Sequence, residues 1–518
     1  MKRRDFLQTS AATSLPLLLN GMGISVLPKS AMFGAVNGDS DRVLVLIQLN
    51  GGNDGLSSII PLDQYSQLAS ARTNILIPEN TVLNLTPETG MHPSMEGLKS
   101  LYDDAKLSII QSVGYPNQNR SHFRSSDIWH TGSAADEFLT TGWLGRYFES
   151  KYPNYPTDYP NEDCPDPFAI TIGSLISETC QGTTGNYSLA INDAEALGEL
   201  SEPEPGEIPL DTCYGFELNY VRQSIAQTNA YSSTILNAAN SATNLATYPE
   251  TELAQSLKVV AQLISGGLQT RVYVVSLGGF DTHADQTVEG APTTGIHATL
   301  LQTLSDAIAA FQQDLQLLNL EERVVGMTFS EFGRQIKSND SFGTDHGNAA
   351  PLLVFGTCVN PAIIGDNPEI PEVVNNQDGV PLQFDFRSVY GSILMDWFEV
   401  SETEVKTLLY AEFQYIPLLQ PCTITSTNDP DRFKESIETY HYPNPFQDWV
   451  HIVFTSKAEW AKVSIYNSLG QEIRVLADRQ FLAGEHTLSF EARGLPAGNY
   501  HYRIITRDRQ KTKVMIKA

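Results

Sequence analysis

Three short runs of histidine and acid hold the residues best suited to chemistry: GGFDTH with Asp281 and His283, FSEFGR with Glu331 and Arg334, and GTDHG with Asp345 and His346. Each stands where an apolar, β-branched run gives way to glycine, which is where open α/β sheets gather ligands, at the carboxyl ends of their strands. A carboxylate and an imidazole two positions apart on a turn can converge on one cation. The chain has ten histidines, four of them beyond residue 440, so two of the remaining six fall in these runs. Carboxylates with imidazoles and no thiolate suit zinc, manganese, magnesium or calcium; a divalent metal is expected, as one ion or as a mixed two-metal site. Taken singly, DTH also reads as an Asx turn with a surface histidine; three strand-end runs together favour a metal.

Two further polar loops bear on the same chemistry. NGGNDGL (50–56) lets backbone N–H groups face an anion or turns the Asp54 carboxylate toward a metal, and alone it is also an ordinary turn. GYPNQNRSHFRSSDIWHTG (114–132) gathers Arg120, Ser121, His122, Arg124, Ser125 and His130. A nucleophile is expected there, with Ser121 or Ser125 attacking and His122 or Arg124 assisting. Arg334 either holds an anionic oxyester group in a bidentate contact or forms a structural salt bridge.

The elements that must position these residues alternate in type. Continuous apolar runs at 43–49, 107–113, 272–277, 323–329 and 352–355 read as strands buried on both faces. Helical spacing marks 94–105, two helices after residue 217, 296–318, and 385–398 with Asp385 as a cap. Strands alternating with helices predict an α/β fold, a mostly parallel sheet covered on both faces. Residues 151–216, dense in Pro, Asp, Glu, Asn and Gly, read as a long surface excursion over the site.

Length and charge set the outer limits. A chain of 518 residues exceeds one ordinary core. Its 60 acids against 33 Lys+Arg give a net charge of −27, which argues against nucleic acid or an anionic membrane as partner. Composition divides the chain into an export signal (1–35), an α/β domain (41–415), a linker (416–437) and a small β-sandwich (438–518) of alternating strands and glycine turns. This last unit carries 11 Lys+Arg against 8 Asp+Glu, so the acidity belongs to the rest of the chain. Five cysteines without a CxxC pair exclude a zinc ribbon, and a local bridge among Cys164, Cys180 and Cys213 is expected. The apolar part of the leader is too short and polar for a membrane anchor, so the chain is not expected to be an integral membrane protein.

Several of these segments resemble known families. Arg3 and Arg4 followed by Phe6 and Leu7 resemble a twin-arginine export signal. YPNPF, VSIYNSLGQEI and LAGEHTLSFEARGLPAGNYHYRI closely resemble the C-terminal sorting domain of the type IX secretion system of Bacteroidetes. Together these imply the twin-arginine translocase and the type IX machinery as partners, and a path through the periplasm to the cell surface or beyond. LNGGNDGLSSIIPL, SHFRSSDIWHTG, TGWLGRYF, GGFDTH, FSEFGR and GTDHGNAAPLLVFG resemble the domain of unknown function 1501 family over about residues 41–412. That family resembles a branch of the alkaline phosphatase and sulfatase superfamily. The resemblance implies Asp54 as the first-strand aspartate, Asp281 and His283 as a ligand pair, Glu331 as the later strand-end acid and His346 as the last histidine. It also implies a metal-dependent hydrolase of phosphate or sulfate esters acting on a small anionic ester. Where the superfamily has Asp-His this chain has Ser330-Glu331, and a sulfatase signature is missing, so the alternative is a non-catalytic surface protein that binds a glycan or a partner on the same fold.

Overall fold

The computed structural model describes residues 41–192, 212–420, 439–457, 460–467, 472–506 and 510–517. The export signal and most of the linker therefore lie outside the described residues. In chain order the first unit contains β1 (Val43–Leu49), α1 (Gly55–Ser58), β2 (Ile59–Pro61), α2 (Tyr65–Ala71), β3 (Leu83–Asn84), β4 (Thr89–Met91), α3 (Glu96–Asp103) and β5 (Leu107–Gly114). Then come α4 (His122–Thr131), α5 (Trp143–Lys151), β6 (Ala169–Ile172), β7 (Ser188–Ile191), α6 (Cys213–Ser241), α7 (Glu252–Ser265), β8 (Val272–Leu277) and α8 (Ile296–Leu317). It ends with β9 (Val324–Phe329), β10 (Arg334–Ser338), β11 (Thr344–His346), β12 (Ala350–Phe355), β13 (Ile363–Ile364), β14 (Phe384–Asp385), α9 (Phe386–Phe398) and α10 (Glu402–Leu408).

The main sheet runs β13-β5-β12-β9-β1-β8-β6-β7, with β14 also paired to β5. Pairing is parallel except at β12, which lies antiparallel to both β5 and β9. Alternate residues of β1 enter different cores. Val43, Val45, Ile47 and Leu49 pack with α3, α6, α7 and α8, whereas Leu44 and Leu46 pack toward α4, α5 and α9. This is the expected helix–sheet–helix arrangement, and it explains why β1 carries no polar alternation.

Three expectations are corrected. Residues 151–216 are not only a surface excursion, because AITI and SLAI within them are apolar enough to add β6 and β7 to the sheet edge. The first unit also continues past residue 415: Ile416, Leu418 and Leu419 are buried in its core, and Gln420 N donates to Cys358 O at 2.9 Å. Neither Cys164 nor the wholly buried Cys180 is held in a disulfide, whereas Cys358 is disulfide-bonded.

The C-terminal unit has two sheets, β15-β16-β19 and β18-β17-β20-β21, formed from β15 (Thr439–Tyr442), β16 (Trp449–Lys457), β17 (Trp460–Tyr466), β18 (Glu472–Gln480), β19 (Ala483–Glu491), β20 (Gly498–Thr506) and β21 (Gln510–Lys517). Val450, Ile452, Val463, Ile465, Tyr502 and Ile504 close a core of their own, which matches the small β-sandwich read from its alternation.

Candidate metal centre

Parallel registry sets the site. Leu49 pairs with Leu277 and Gln48 with Phe329, so β1, β8 and β9 end side by side and their following loops meet. The loops pack closely because of glycine. Gly51 sits at φ +121°, and a Cβ there would lie 2.2 Å from Asp281 N. The β10–β11 hairpin, which the sequence reading did not anticipate, pairs Arg334 with His346 and returns the last histidine to the same place.

Three imidazoles and one carboxylate converge there. Asp281 Oδ1 lies 3.1 Å from His283 Nε2, 3.1 Å from His346 Nε2 and 3.4 Å from His122 Nε2. His283 Nε2 and His346 Nε2 are 2.9 Å apart. Donor atoms of His122, Asp281 and His346 all lie within 4.8 Å of one another. The four side chains keep 22 to 48% of their exposure, so a ligand can reach them from solvent.

The opposite ring nitrogens are all occupied. His122 Nδ1 meets Glu331 Oε1 at 2.8 Å, His283 Nδ1 meets Asp345 Oδ1 at 2.9 Å, and His346 Nδ1 meets the Arg120 carbonyl at 2.8 Å. Each of these is an acceptor, so the Nδ1 atoms carry protons, and in the neutral tautomer that ligation requires each Nε2 turns a lone pair toward Asp281. His122 Nε2 is buried without a hydrogen-bond partner. Lone pairs crowded against a carboxylate repel one another until a cation lies among them, so the donor set fits a divalent metal. Imidazole-rich ligation favours zinc or manganese over magnesium or calcium.

Arg334 holds the carboxylate in place. Burial would raise the Asp281 pKa, but the hydrogen bond and positive charge of Arg334 outweigh it and hold the group at about 2. Burial also moves His346 downward, toward the neutral ring a ligand needs. Asp345 is held below the ordinary range by its bonds with His283 and Asn339, against the raising effect of burial.

Several sequence-predicted roles change. Glu331 and Asp345, expected among the ligands, lie behind imidazoles and orient them. His122, expected to assist a nucleophile, supplies a ring nitrogen to the centre instead. Arg334 is not available to an anion: Nε donates to Gly52 O, Nη1 to Thr344 O, and Nη2 to Gly51 O, Phe280 O and Asp281 Oδ1. Arg124 pairs with Asp127, reaches the carbonyls of Ala135 and Glu137, and stacks on Phe138, which turns it away from the centre. The buried Ser125 hydroxyl contacts Glu331 O and Tyr115 Oη. Ser121 is exposed at the cap of α4, next to His122.

Asp54 departs most from expectation. It is wholly buried 2.6 Å from Arg72 Nη1, and Gln286 Nε2 donates to the same oxygen at 2.6 Å. Burial raises its pKa, yet the Arg72 pair more than reverses this and holds the carboxylate well below its usual range. A guanidinium therefore neutralises an acid expected among the metal ligands. Gln286 also accepts from Thr282 Oγ1 (3.1 Å) and Thr344 Oγ1 (2.7 Å), which tie this buried network to the segments bearing Asp281, His283 and His346. Among the described residues, one group of donors suited to a cation is formed, not two.

The family described as "Protein of unknown function (DUF1501)" matches residues 222–384. That span contains Asp281, His283, Glu331, Asp345 and His346, whereas Asp54 and His122 precede it. The family described as "Secretion system C-terminal sorting domain" matches residues 440–518, which marks the chain for export to the cell surface or beyond. No curated protein matches. Similar solved structures include a protein in the alkaline phosphatase superfamily from Vibrio parahaemolyticus (11% identity, 85% of this chain and 83% of that one, TM-score 0.30). A phosphonate monoester hydrolase from Silicibacter pomeroyi matches with 10% identity over 92% of this chain and 89% of that one (TM-score 0.32). PorZ, a surface component of the type IX secretion system of Porphyromonas gingivalis, matches with 20% identity over 15% of this chain, which spans 11% of its length (TM-score 0.12). No helix among the described residues is long and apolar enough to cross a membrane.

Proposed function

We propose that this chain, with a DUF1501 region ahead of a secretion sorting domain, is an exported, metal-dependent hydrolase of phosphate or sulfate esters. The observation that carries the reading is the convergence of His122, His283 and His346 Nε2 on Asp281 Oδ1, with every Nδ1 engaged by an acceptor. A single zinc or manganese ion held by these four residues would supply Lewis acidity, polarising an ester oxygen and making water more acidic. Glu331 and Asp345 keep His122 and His283 in the tautomer that ligation needs. Arg334 keeps Asp281 ionised and aimed at the centre. In the overall reaction a water oxygen bonds to phosphorus or sulfur as the ester P–O or S–O bond breaks, and the departing alkoxide takes up a proton. Products are the inorganic oxyanion and an alcohol.

A second reading, a metal-bearing surface protein that binds a glycan without turnover, draws on the Ser125 hydroxyl. That group is engaged by Glu331 O and Tyr115 rather than free to attack. Elemental analysis of the purified chain beside an Asp281→Ala/His346→Ala control, followed by a screen of phosphate and sulfate esters, tests both. Turnover that a chelator removes supports the hydrolase; one bound ion without turnover moves the reading to the binding protein. A folded, metal-free wild type overturns both.

For its route we propose the twin-arginine translocase first, reading Arg3 and Arg4, and the type IX machinery second, reading residues 440–518.

A further inference from the structure

With Arg334 enclosed, the proposed ester needs another cation. Arg120 lies in the loop between β5 and α4, and its backbone carbonyl accepts from His346 Nδ1 at 2.8 Å, so the main chain of this residue stands directly behind one imidazole of the centre. Its side chain lines a cleft of about 490 Å³ together with Tyr115, Gln118, Asn348 and Leu382. The guanidinium bonds only to uncharged oxygens. Nε and Nη2 donate to Asn348 Oδ1 (3.0 and 2.9 Å), Nη1 donates to Gln377 Oε1 (2.9 Å) and Nη2 to Gln377 O (2.8 Å). These four bonds leave one Nη1 hydrogen for a ligand.

Arg120 differs in its pairing from several other arginines of this unit. Arg72, Arg124, Arg334 and Arg387 each meet a carboxylate within 4.0 Å. Among the described residues no ion pair is formed by Arg120, although acids outnumber basic residues 60 to 33. Asp378, which acts on it electrostatically, accepts instead from Asn375 N at 2.7 Å. A half-buried guanidinium held by amide oxygens at the wall of a cleft, with one N–H unused, favours an anion there.

We propose that Arg120 is the binding residue for the oxyanion of a phosphate or sulfate monoester, with the cleft holding the alcohol portion. The assignment rests on the hydrolase reading above. Arg120 thereby takes the role that the sequence suggested for Arg334.

The test is calorimetric titration of the zinc-loaded full chain with inorganic phosphate and, separately, sulfate, for wild type, Arg120→Met and Arg120→Lys. Expected is at least a tenfold weaker affinity in R120M, partial retention in R120K, and unchanged zinc stoichiometry in both. Should R120M fail to fold, R120K against Arg120→Gln supplies the same comparison. Equal affinity in wild type and the charge-removed variant overturns the Arg120 assignment while the metal centre stands. A zinc-loaded wild type that binds neither anion also overturns it. A wild type that takes up no zinc overturns the hydrolase reading itself, and the assignment with it.

Discussion

His283 Nε2 and His346 Nε2 stand 2.9 Å apart, although 63 positions separate the residues in sequence. Their Nδ1 atoms donate to Asp345 and to the Arg120 carbonyl, so with both rings in the neutral tautomer that ligation requires, two lone pairs face each other across that gap. A cation is the simplest group that turns this repulsion into attraction.

Removing any one ligand should therefore raise the zinc dissociation constant at least a hundredfold while the circular dichroism spectrum stays native. His122→Ala is the informative variant. A residue that only assists a nucleophile leaves zinc affinity unchanged; a ligand does not. Chelation of the wild type should lower its melting temperature, because an ion that binds only the folded state stabilises it by mass action.

Glu331→Gln tests the support behind His122. The amide can still accept from the His122 Nδ1 proton, but it lacks the charge that raises the basicity of Nε2. Zinc affinity is expected to fall by about 10- to 100-fold, the range usual for lost outer-shell partners. An unaltered affinity removes Glu331 from the site.

The buried pair of Asp54 and Arg72 predicts the stoichiometry. One ion per chain should be found, since Asp54, the expected ligand that lies outside the cluster, is neutralised at 2.6 Å. Arg72→Met should cost about 3–5 kcal/mol in denaturant unfolding, because Asp54 is then a buried charge without a partner. Adding Asp54→Asn should recover much of that loss. Two tightly bound ions in the wild type would contradict this account.

Much of this was legible in the chain. Apolar runs located β1, β8 and β9 because strands buried on both faces cannot hide polar residues, and Asp281, His283 and His346 were found because glycine follows those strands. The roles of Glu331 and Asp345 were not legible, since a carboxylate that binds a metal and one that binds the back of an imidazole are the same residue type. Arg72 was missed altogether. It is the C-cap residue of α2, outside every motif, and it meets Asp54 only through tertiary packing. The β10–β11 hairpin was hidden because its strands are short and lie within what reads as a polar loop.

Deleting residues 438–518 should leave zinc affinity unchanged, because the sandwich closes its own core and contributes none of the proposed ligands His122, Asp281, His283 and His346. The truncated protein is expected to remain in the periplasm, as fractionation and immunoblotting will show. Secretion at the wild-type level would count against the two-step route.

Asp396 makes a prediction about pH away from the site. It lies on α9, and the Tyr415 hydroxyl approaches its two oxygens at 2.9 and 3.1 Å. Burial pushes its pKa up to about 7, with partial relief from Tyr415. Below pH ~4 the acid is protonated in both states and contributes nothing to the balance. As pH rises further the unfolded chain releases this proton while the folded chain retains it, so stability from this group declines until pH passes about 7. Asp396→Asn keeps an acceptor for Tyr415 without the ionisation. It should stabilise the protein by roughly 2 kcal/mol at pH 8 and by clearly less at pH 5, about half the full linkage value because the carboxyl is not wholly removed from water. Urea unfolding at the two pH values measures the difference, and an equal effect at both would place the Asp396 pKa in the ordinary carboxylate range.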